Sequence, residues 1–273
     1  CWKTWPRWMR PNRLRRVFTT AQRGVNAIGD DVVSRDGLAA FNANTGELIR
    51  DFAPSFDDQV KALVVLPNGK LLVGGDFDFV NGELAIGTAL LDPTTGERDP
   101  SWDLVVENRL TGGVVSVRSM SLAGDYVYLG GAFTHLTGGS MSNVYARHGA
   151  RVEWDTATPG WPFNPDFNGT VVAIDTSEDE SRYYAAGYFS VSAGEAANRV
   201  AAIETVDGAP LVAPWPTVWS NGDRSGYQQA ILEVGNRVYA GGSEHSIFGY
   251  DTETFERKSG SITLGIGGDF QAL

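Results

Sequence analysis

Apolar and polar positions alternate along this chain in a pattern that recurs about every 55 residues. Each recurrence opens with an apolar run, as in VKALVVL (60–66), VRSMSL (117–122), TVVAID (170–175) and QAILEV (229–234). A short polar turn follows, and then a second apolar run that ends in a pair of small residues. The last glycine of each pair is Gly75, Gly131, Gly187 and Gly242, at spacings of 56, 56 and 55 residues. A fixed period of this size predicts a repeat architecture.

Each period contains four strand-like segments and no helical periodicity. The second run is followed by a loop, a third apolar run such as GTALLD (87–92), a turn such as DPTTGE (92–97), and a fourth, aromatic segment such as DPSWD (99–103). Four short strands per repeat, separated by turn residues, are typical of a blade of a β-propeller. The glycine pairs fit a propeller, because glycine lets a strand bend where neighbouring backbones approach closely near the axis.

The pattern therefore predicts an all-β fold, a single five-bladed β-propeller over residues 17–273. Four units are complete, and residues 17–20, 37–41 and 51–57 supply three strands of another. Residues 268–273 resemble the start of a first strand, so the two ends of the chain would complete a fifth blade and close the ring without a free edge. A truncated larger ring is the alternative. In the fourth segments, we expect core packing between blades, with sugar stacking as the alternative, for Trp102, Trp161, Trp215 and Trp219.

Composition limits the choice of partners. The chain is 42% hydrophobic and 20% charged, and no apolar run reaches the roughly 18 residues of a membrane span, so we expect a folded protein without a transmembrane segment. The formal net charge is −11, which disfavours nucleic acid because an acidic surface repels phosphate backbones. Cys1 is the only cysteine, which excludes an intrachain disulfide and a cysteine-rich metal site.

Residues 1–16 differ in character from the rest of the chain. They hold three Trp and six basic residues and no acidic residue. We interpret them as a non-native or flexible segment outside the propeller. The alternative is an arm that binds a membrane surface or nucleic acid.

One stretch of the chain resembles a known repeat family. The string SFDDQVKALVVLPNGKLLVGGDF, followed by LLDPTTGERDPSW, is similar to the delta-sixty repeat, a domain of unknown function that forms propellers in bacterial secreted and surface proteins. The resemblance is strongest over residues 55–103 and weakest over 140–165. It implies a propeller and an extracellular or cell-surface location, and it carries no catalytic residue onto this sequence.

The candidate chemistry lies in the loops on one face of the predicted propeller. Loops between second and third strands share that face with the blade-to-blade connections, around the mouth of the central channel. The candidate metal ligands on these loops are Asp58, Asp76, Asn168, Asp223 and Asp269. Their oxygen atoms are ligands that Ca²⁺ prefers, so calcium is the cofactor that this set would bind. The candidate catalytic residues are His135 and His245, which could move a proton beside such a metal.

A structural explanation competes with this one. Asp and Asn are common in loops because their side chains accept hydrogen bonds from nearby backbone N–H groups. A metal that only stiffens the ring is a third interpretation. We expect His148, near a third strand, to be a surface or hydrogen-bonded residue. The sequence contains neither a nucleophile elbow nor a phosphate-binding P-loop.

Three functions remain open from the sequence. The first is a non-enzymatic recognition module of a secreted or surface bacterial protein, with a small-molecule, carbohydrate or protein ligand at the channel mouth. The second is a calcium-dependent hydrolase of esters, lactones or phosphotriesters, which requires at least three of the candidate ligands around one point. The third is a structural spacer.

Overall fold

The computed structural model describes residues 34–212, 215, 226–243 and 247–259. These residues form strands and turns, and no helix among them is long and apolar enough to cross a membrane. The strands predicted at 17–20 and 268–273, and the segment 1–16, lie outside the described residues. The five-bladed, closed ring therefore stays a prediction.

Short antiparallel strands make up the described part of the chain. They are β1 (Val60–Val65), β2 (Leu71–Gly75), β3 (Phe79–Val80), β4 (Glu83–Leu84), β5 (Thr88–Leu91), β6 (Val105–Glu107), β7 (Ser116–Ala123), β8 (Tyr126–Ala132), β9 (His135–Gly138), β10 (Met141–Tyr145), β11 (Gly149–Glu153), β12 (Val171–Thr176), β13 (Arg182–Gly187), β14 (Val191–Ser192), β15 (Glu195–Ala196), β16 (Val200–Glu204), β17 (Gln228–Val234), β18 (Arg237–Gly242) and β19 (Ile247–Asp251).

Four of the described sheets follow one plan, and we call each a blade. Within a blade the first, second and third strands are hydrogen-bonded in that order, as β1-β2-β5, β7-β8-β11, β12-β13-β16 and β17-β18-β19. The fourth strand is reduced to a single bridge, such as Leu91 with Arg98. The first strands of successive blades lie side by side, with β7 between β1 and β12, and β12 between β7 and β17. Residues 34–56 add part of a preceding blade, in which Phe41 bridges Leu48.

The last glycine of each small-residue pair is required by a β-bulge. Each first strand has a register shift between the residues that pair with the two members of the small-residue pair, and the shift recurs in all four blades. The bulge brings a carbonyl oxygen against the glycine, and this oxygen belongs to the residue just before the one that pairs with the glycine. A Cβ atom would overlap that oxygen at each of these positions, namely Gly75, Gly131, Gly187 and Gly242. The 55-residue recurrence in the sequence is thus the recurrence of one backbone contact.

The first residue of each pair is set by the next blade. A Cβ on Gly74 would lie 2.8 Å from a methyl carbon of Val117 near the start of β7, and Gly130 faces the valine at the start of β12 in the same way. The third blade has Ala186 at this position, and the strand that follows it starts with Gln228 instead of valine. The pair position thus carries a Cβ atom, in Ala186, in the blade whose neighbour has Gln228 in place of the β-branched valine.

Apolar clusters fill the space between blades. One unites the first and second blades around Leu72, Val117 and Leu129, and a second unites the second and third around Tyr128 and Tyr183. Two residues after each glycine of the first three blades stands a phenylalanine with no exposed surface, namely Phe77, Phe133 and Phe189. These phenylalanines anchor the loop that leaves the second strand.

Polar contacts also join neighbouring blades. Ser119 Oγ accepts a hydrogen bond from the backbone N–H of Ile174 at 3.1 Å, and the hydroxyls of Ser121 and Thr176 lie 2.6 Å apart. Arg151, which is almost fully buried, donates to the carbonyl oxygen of Thr205 at 2.5 Å and to other groups of both blades. Each of these contacts is satisfied only when two blades are in register.

The tryptophans of the fourth segments differ in their exposure to solvent. Trp102 and Trp215 are buried, and Trp102 Nε1 donates to Thr88 Oγ1 at 3.0 Å, as expected for core packing between blades. The same expectation is wrong for Trp161, whose surface is 64% exposed because Phe163, two residues later, takes the core position of that segment. Trp219 lies outside the described residues.

Candidate functional site

The loops between second and third strands form small hairpins in the first three blades. These hairpins are β3–β4, β9–β10 and β14–β15. Each contacts the chain segment that enters its blade. Phe56 bridges Val80, β6 pairs with β9, and Asn168 N–H donates to the carbonyl oxygen of Val191 at 3.1 Å. We call the surface made by these hairpins and the blade-to-blade connections the connector face.

Asp57 and Asn168 hold equivalent hairpins in place. Asp57 Oδ1 accepts hydrogen bonds from the N–H groups of Asp78 and Phe79 at 3.0 and 2.9 Å. Asn168 Oδ1 accepts two from its own hairpin, at 2.8 and 3.0 Å. This is the capping role that Asp and Asn side chains commonly play in loops. It engages the amide oxygen of Asn168 that the predicted calcium site would use.

The candidate carboxylates of the first blade also have protein contacts. Asp58 Oδ1 lies 2.7 Å from the N–H of Gln59 and accepts its hydrogen bond. Asp76 Oδ2 is paired with the ammonium group of Lys61, whereas its Oδ1 is buried and without a hydrogen-bond partner in the described chain. Within the described ranges, no three His, Cys, Asp or Glu side chains are grouped so that they could share a metal ion.

The other candidate ligands and one candidate catalytic residue remain untested. Asp223, Asp269 and His245 lie outside the described residues. The calcium site stays a prediction.

His135 lies in β9, between the connecting strand β6 and the outer strand β10. It is paired with Glu107 on one side and Tyr145 on the other, and its ring centroid lies 5.5 Å from that of Tyr145. Thr134 Oγ1 lies 2.9 Å from Nδ1. Partial burial, with the charge of Arg109 as a second cause, lowers the pKa of His135 below its usual value. The lowered pKa favours the neutral form of the imidazole. The proposed proton-transfer role of His135 stays a prediction.

A second polar group lies behind this hairpin. Tyr145 Oη donates to Asp166 Oδ1 at 2.6 Å, and Arg147 lies 3.9 Å from the same carboxylate. His148 Nδ1 is 3.1 Å from the carbonyl oxygen of Gly131, and burial lowers its pKa. His148 is thus the hydrogen-bonded residue that the sequence predicts.

Aromatic and apolar side chains on the connector face are a feature that the sequence reading missed. Tyr188 is 47% exposed and stacks on Tyr227 of the next blade, with ring centroids 4.9 Å apart and planes inclined by 26°. Phe79 and Leu84 are cross-strand neighbours on the first hairpin and are both exposed. Superposition of the repeats could have found Tyr188, because it directly follows the glycine pair.

Comparison with known proteins supports the architecture. A family described as a domain of unknown function (DUF5122) beta-propeller matches residues 66–101. This chain is also similar to solved propeller-like structures at low sequence identity. The fold is that of a β-propeller. No curated protein matches the sequence.

Two solved structures illustrate the likeness of this propeller. The extracellular domain of the B. thetaiotaomicron protein BT4673, described as a hybrid two component system, has a TM-score of 0.51 and 17% identity over 82% of this chain and 25% of that one. The Myceliophteria thermophila Cps50 (Swd1) beta-propeller domain has a TM-score of 0.50 and 14% identity over 78% of this chain and 59% of that one. The propeller thus spans less than two thirds of both. Such low identities show the fold alone.

Proposed function

We propose that this propeller is a non-enzymatic recognition module of an extracellular or cell-surface protein, and that its connector face binds the ligand. The observation that carries the proposal is a contrast between equivalent positions of the repeats. Positions that build the blade recur in successive copies, and exposed or partly exposed positions on the connector face differ.

The residues around the glycine pair show this contrast. The second residue after the glycine is a fully buried phenylalanine in the first three blades. The residue directly after the glycine differs in every blade, as Asp76, Ala132, Tyr188 and Ser243. The fourth residue after the glycine lies on the hairpin and also differs, as Phe79, His135 and Val191. A face with a constant frame and variable exposed groups is the arrangement that ligand specificity requires, since loops on a rigid scaffold commonly carry binding residues.

The stacked pair of Tyr188 and Tyr227 supplies an aromatic contact surface on this face. One ring face of Tyr188 rests on Tyr227, while nearly half of its surface meets solvent. Tyrosine offers a large, rigid area with little conformational entropy to lose, and it is enriched where proteins bind partners. The exposed ring suits the apolar face of a sugar, and a small-molecule or protein ligand could use the same surface.

The test is a binding screen of the purified chain against immobilised oligosaccharides, followed by calorimetry on each ligand found. We expect Tyr188→Ala to weaken binding by roughly 10-fold or more, the loss typical of a buried aromatic contact. Phe41→Ala is the matched control, because Phe41 is a similarly exposed aromatic beside the 42–47 turn on the opposite face. Equal affinity of Tyr188→Ala and the unmodified protein would contradict the proposal for this face.

The calcium-dependent hydrolase remains the second proposal from the sequence. Its test is calorimetric calcium binding by chelator-treated protein, with Asp58→Ala and Asp223→Ala as variants. Tight binding that both substitutions abolish would justify an ester and phosphotriester screen.

A further inference from the structure

The β-bulge places one extra residue at the same point of every first strand. In β7, Val117 packs toward the preceding blade and Ser119 bonds to the following one, and Arg118 between them is the residue that the register shift leaves unpaired. The equivalent extra residues of the other blades are Lys61, Val172 and Gln229. A bulge commonly re-aims a side chain beside a functional site. Here it lies at the free edge of each first strand, close to the connector face.

Two of these extra residues are cationic, and only one has a carboxylate partner in its own blade. Lys61 is paired with Asp76, the residue after the glycine pair. In the second blade the cation is Arg118, and Ala132 stands where Asp76 stands in the first. Among the described residues, Arg118 has neither an ion pair nor a hydrogen bond to its Nε, which is buried. The charge of Lys61 is thus balanced by Asp76 in the first blade. The charge of Arg118 has no carboxylate at the equivalent position of the second blade.

Further polar atoms without a hydrogen-bond partner belong to residues at the same junction between the first and second blades. Ser116, which is 3% exposed, has a buried Oγ without a hydrogen-bond partner in the described chain, and so does Asp76 at Oδ1. The first and second blades meet at this point, since a Cβ on Gly74 would lie 2.8 Å from Val117. Ser116 and Arg118 flank Val117, and Asp76 follows Gly74 by two residues. Buried polar groups are nearly always satisfied, so three unsatisfied atoms on residues of one junction between blades call for an explanation.

We propose that Arg118, Ser116 and Asp76 form a binding site for the carboxylate group of a hydroxylated acid, such as a uronic acid residue of an acidic oligosaccharide. This inference rests on the proposed recognition function and names the chemistry of its ligand. The guanidinium of Arg118 and the hydroxyl of Ser116 donate to the carboxylate. Asp76 Oδ1 accepts from a ligand hydroxyl.

Charge favours a carboxylate over a phosphate at this place. Arginine binds both groups through paired N–H donors. A phosphate monoester, however, carries a charge of about −1.5 to −2 at pH 7, and it would meet Asp76 in a protein of net charge −11. A carboxylate has a single charge, which Arg118 balances. The hydroxyl groups of a sugar acid also match the acceptor that Asp76 leaves free.

The binding test uses an oligogalacturonate as the probe and its methyl ester as the matched probe without charge, both measured by calorimetry at constant ionic strength. We expect the acid to bind, and Arg118→Gln to weaken it by roughly 10- to 100-fold, the range for a hydrogen bond to a charged group. Arg182→Gln is the control, because Arg182 lies at the start of β13, at the opposite end of its blade, and is also partly exposed. It should leave the affinity unchanged.

A second measurement needs no ligand. Arg118→Met removes a charge that has no protein partner, so we expect the melting temperature to stay the same or rise. Lys61→Met leaves the Asp76 carboxylate unpaired, and we expect the melting temperature to fall. An equal fall in both variants would overturn the proposal, because it would give Arg118 a purely structural role.

The outcomes separate this inference from the proposed function. If the methyl ester binds as well as the acid, and Tyr188→Ala but not Arg118→Gln weakens it, the recognition face stands and the carboxylate site is wrong. If inorganic phosphate alone binds through Arg118, the ligand class is wrong. If neither the acid, the ester nor phosphate binds, the carboxylate site is overturned, and the recognition function then depends on the wider screen.

Discussion

The absence of a Cβ atom on one glycine lets the first and second strands of each blade approach closely at the bulge. At Gly131, the carbonyl oxygen of Ser116 occupies the space that a Cβ would need. Backbone atoms on both sides fix this contact, so neither partner can rotate away as a flexible side chain would. Close approach of two backbones is the general reason for glycine inside a strand.

Gly131→Ala should lower the free energy of unfolding by about 1–3 kcal/mol, the usual penalty for overpacking. The control is Gly113→Ala, since a Cβ on Gly113 would approach only side-chain atoms, at 3.2 and 3.3 Å, and surface substitutions typically change stability by about 0.5 kcal/mol or less. Urea unfolding of the three proteins measures both values. A Gly131→Ala protein as stable as the Gly113→Ala protein would show that the bulge can relax.

At the scale of elements, a few long side chains fasten one blade to the next. Arg151 of β11 donates to the carbonyl oxygens of Gly160 and Thr205 at 3.1 and 2.5 Å and to Asp207 at 2.7 Å. Its guanidinium carbon also lies 4.5 Å from the ring centroid of Tyr126. The second and third blades are thereby joined at the end away from the connector face.

Arg151→Met should destabilise the protein by about 1–3 kcal/mol, because it leaves two carbonyl oxygens without this donor. Asp207→Asn should cost less than about 1 kcal/mol, since that carboxylate is mostly exposed and water replaces its partner. Equilibrium unfolding in urea gives both differences. If the two substitutions cost the same, the salt bridge and not the carbonyl contacts would fasten the blades.

The elements were predictable from the sequence to different degrees. The period, the all-β class and the strand order follow from the apolar runs and the turn residues, and the buried Trp102 agrees with them. The bulge at Arg118 was not predictable, because a register shift leaves the apolar pattern nearly unchanged. The capping role of Asn168 was one of three open explanations, beside a stiffening metal and a catalytic metal, since a loop Asn looks the same in a sequence whether it binds a metal or a backbone N–H. The prediction that Trp161 packs in the core was wrong, because Phe163 takes the core position of that segment.

At the scale of the whole molecule, the described blades form a succession in which each first strand contacts the next. The sequence predicts that both ends of the chain complete one more blade. Closure would remove the exposed edges at which open sheets tend to associate.

Deletion of residues 268–273 should therefore lower the melting temperature and broaden the unfolding transition. Deletion of residues 1–16 is the control and should change neither, because we place that segment outside the propeller. Calorimetric scans at several protein concentrations would show both effects. An unchanged transition after the first deletion would favour the larger, truncated ring over five blades.

The recurring bulge has a consequence for how such a protein diverges. Every duplication of a blade copies one partly exposed residue that the strand pairing skips, as at Lys61, Arg118, Val172 and Gln229. The side chain at this position can change without altering the pairing of the strands, whereas the neighbouring glycine is fixed because a Cβ atom would overlap a backbone oxygen. Duplication thus gives each new blade one variable position close to the connector face. Substitutions at that position can change what a propeller binds while the fold of the blade is kept.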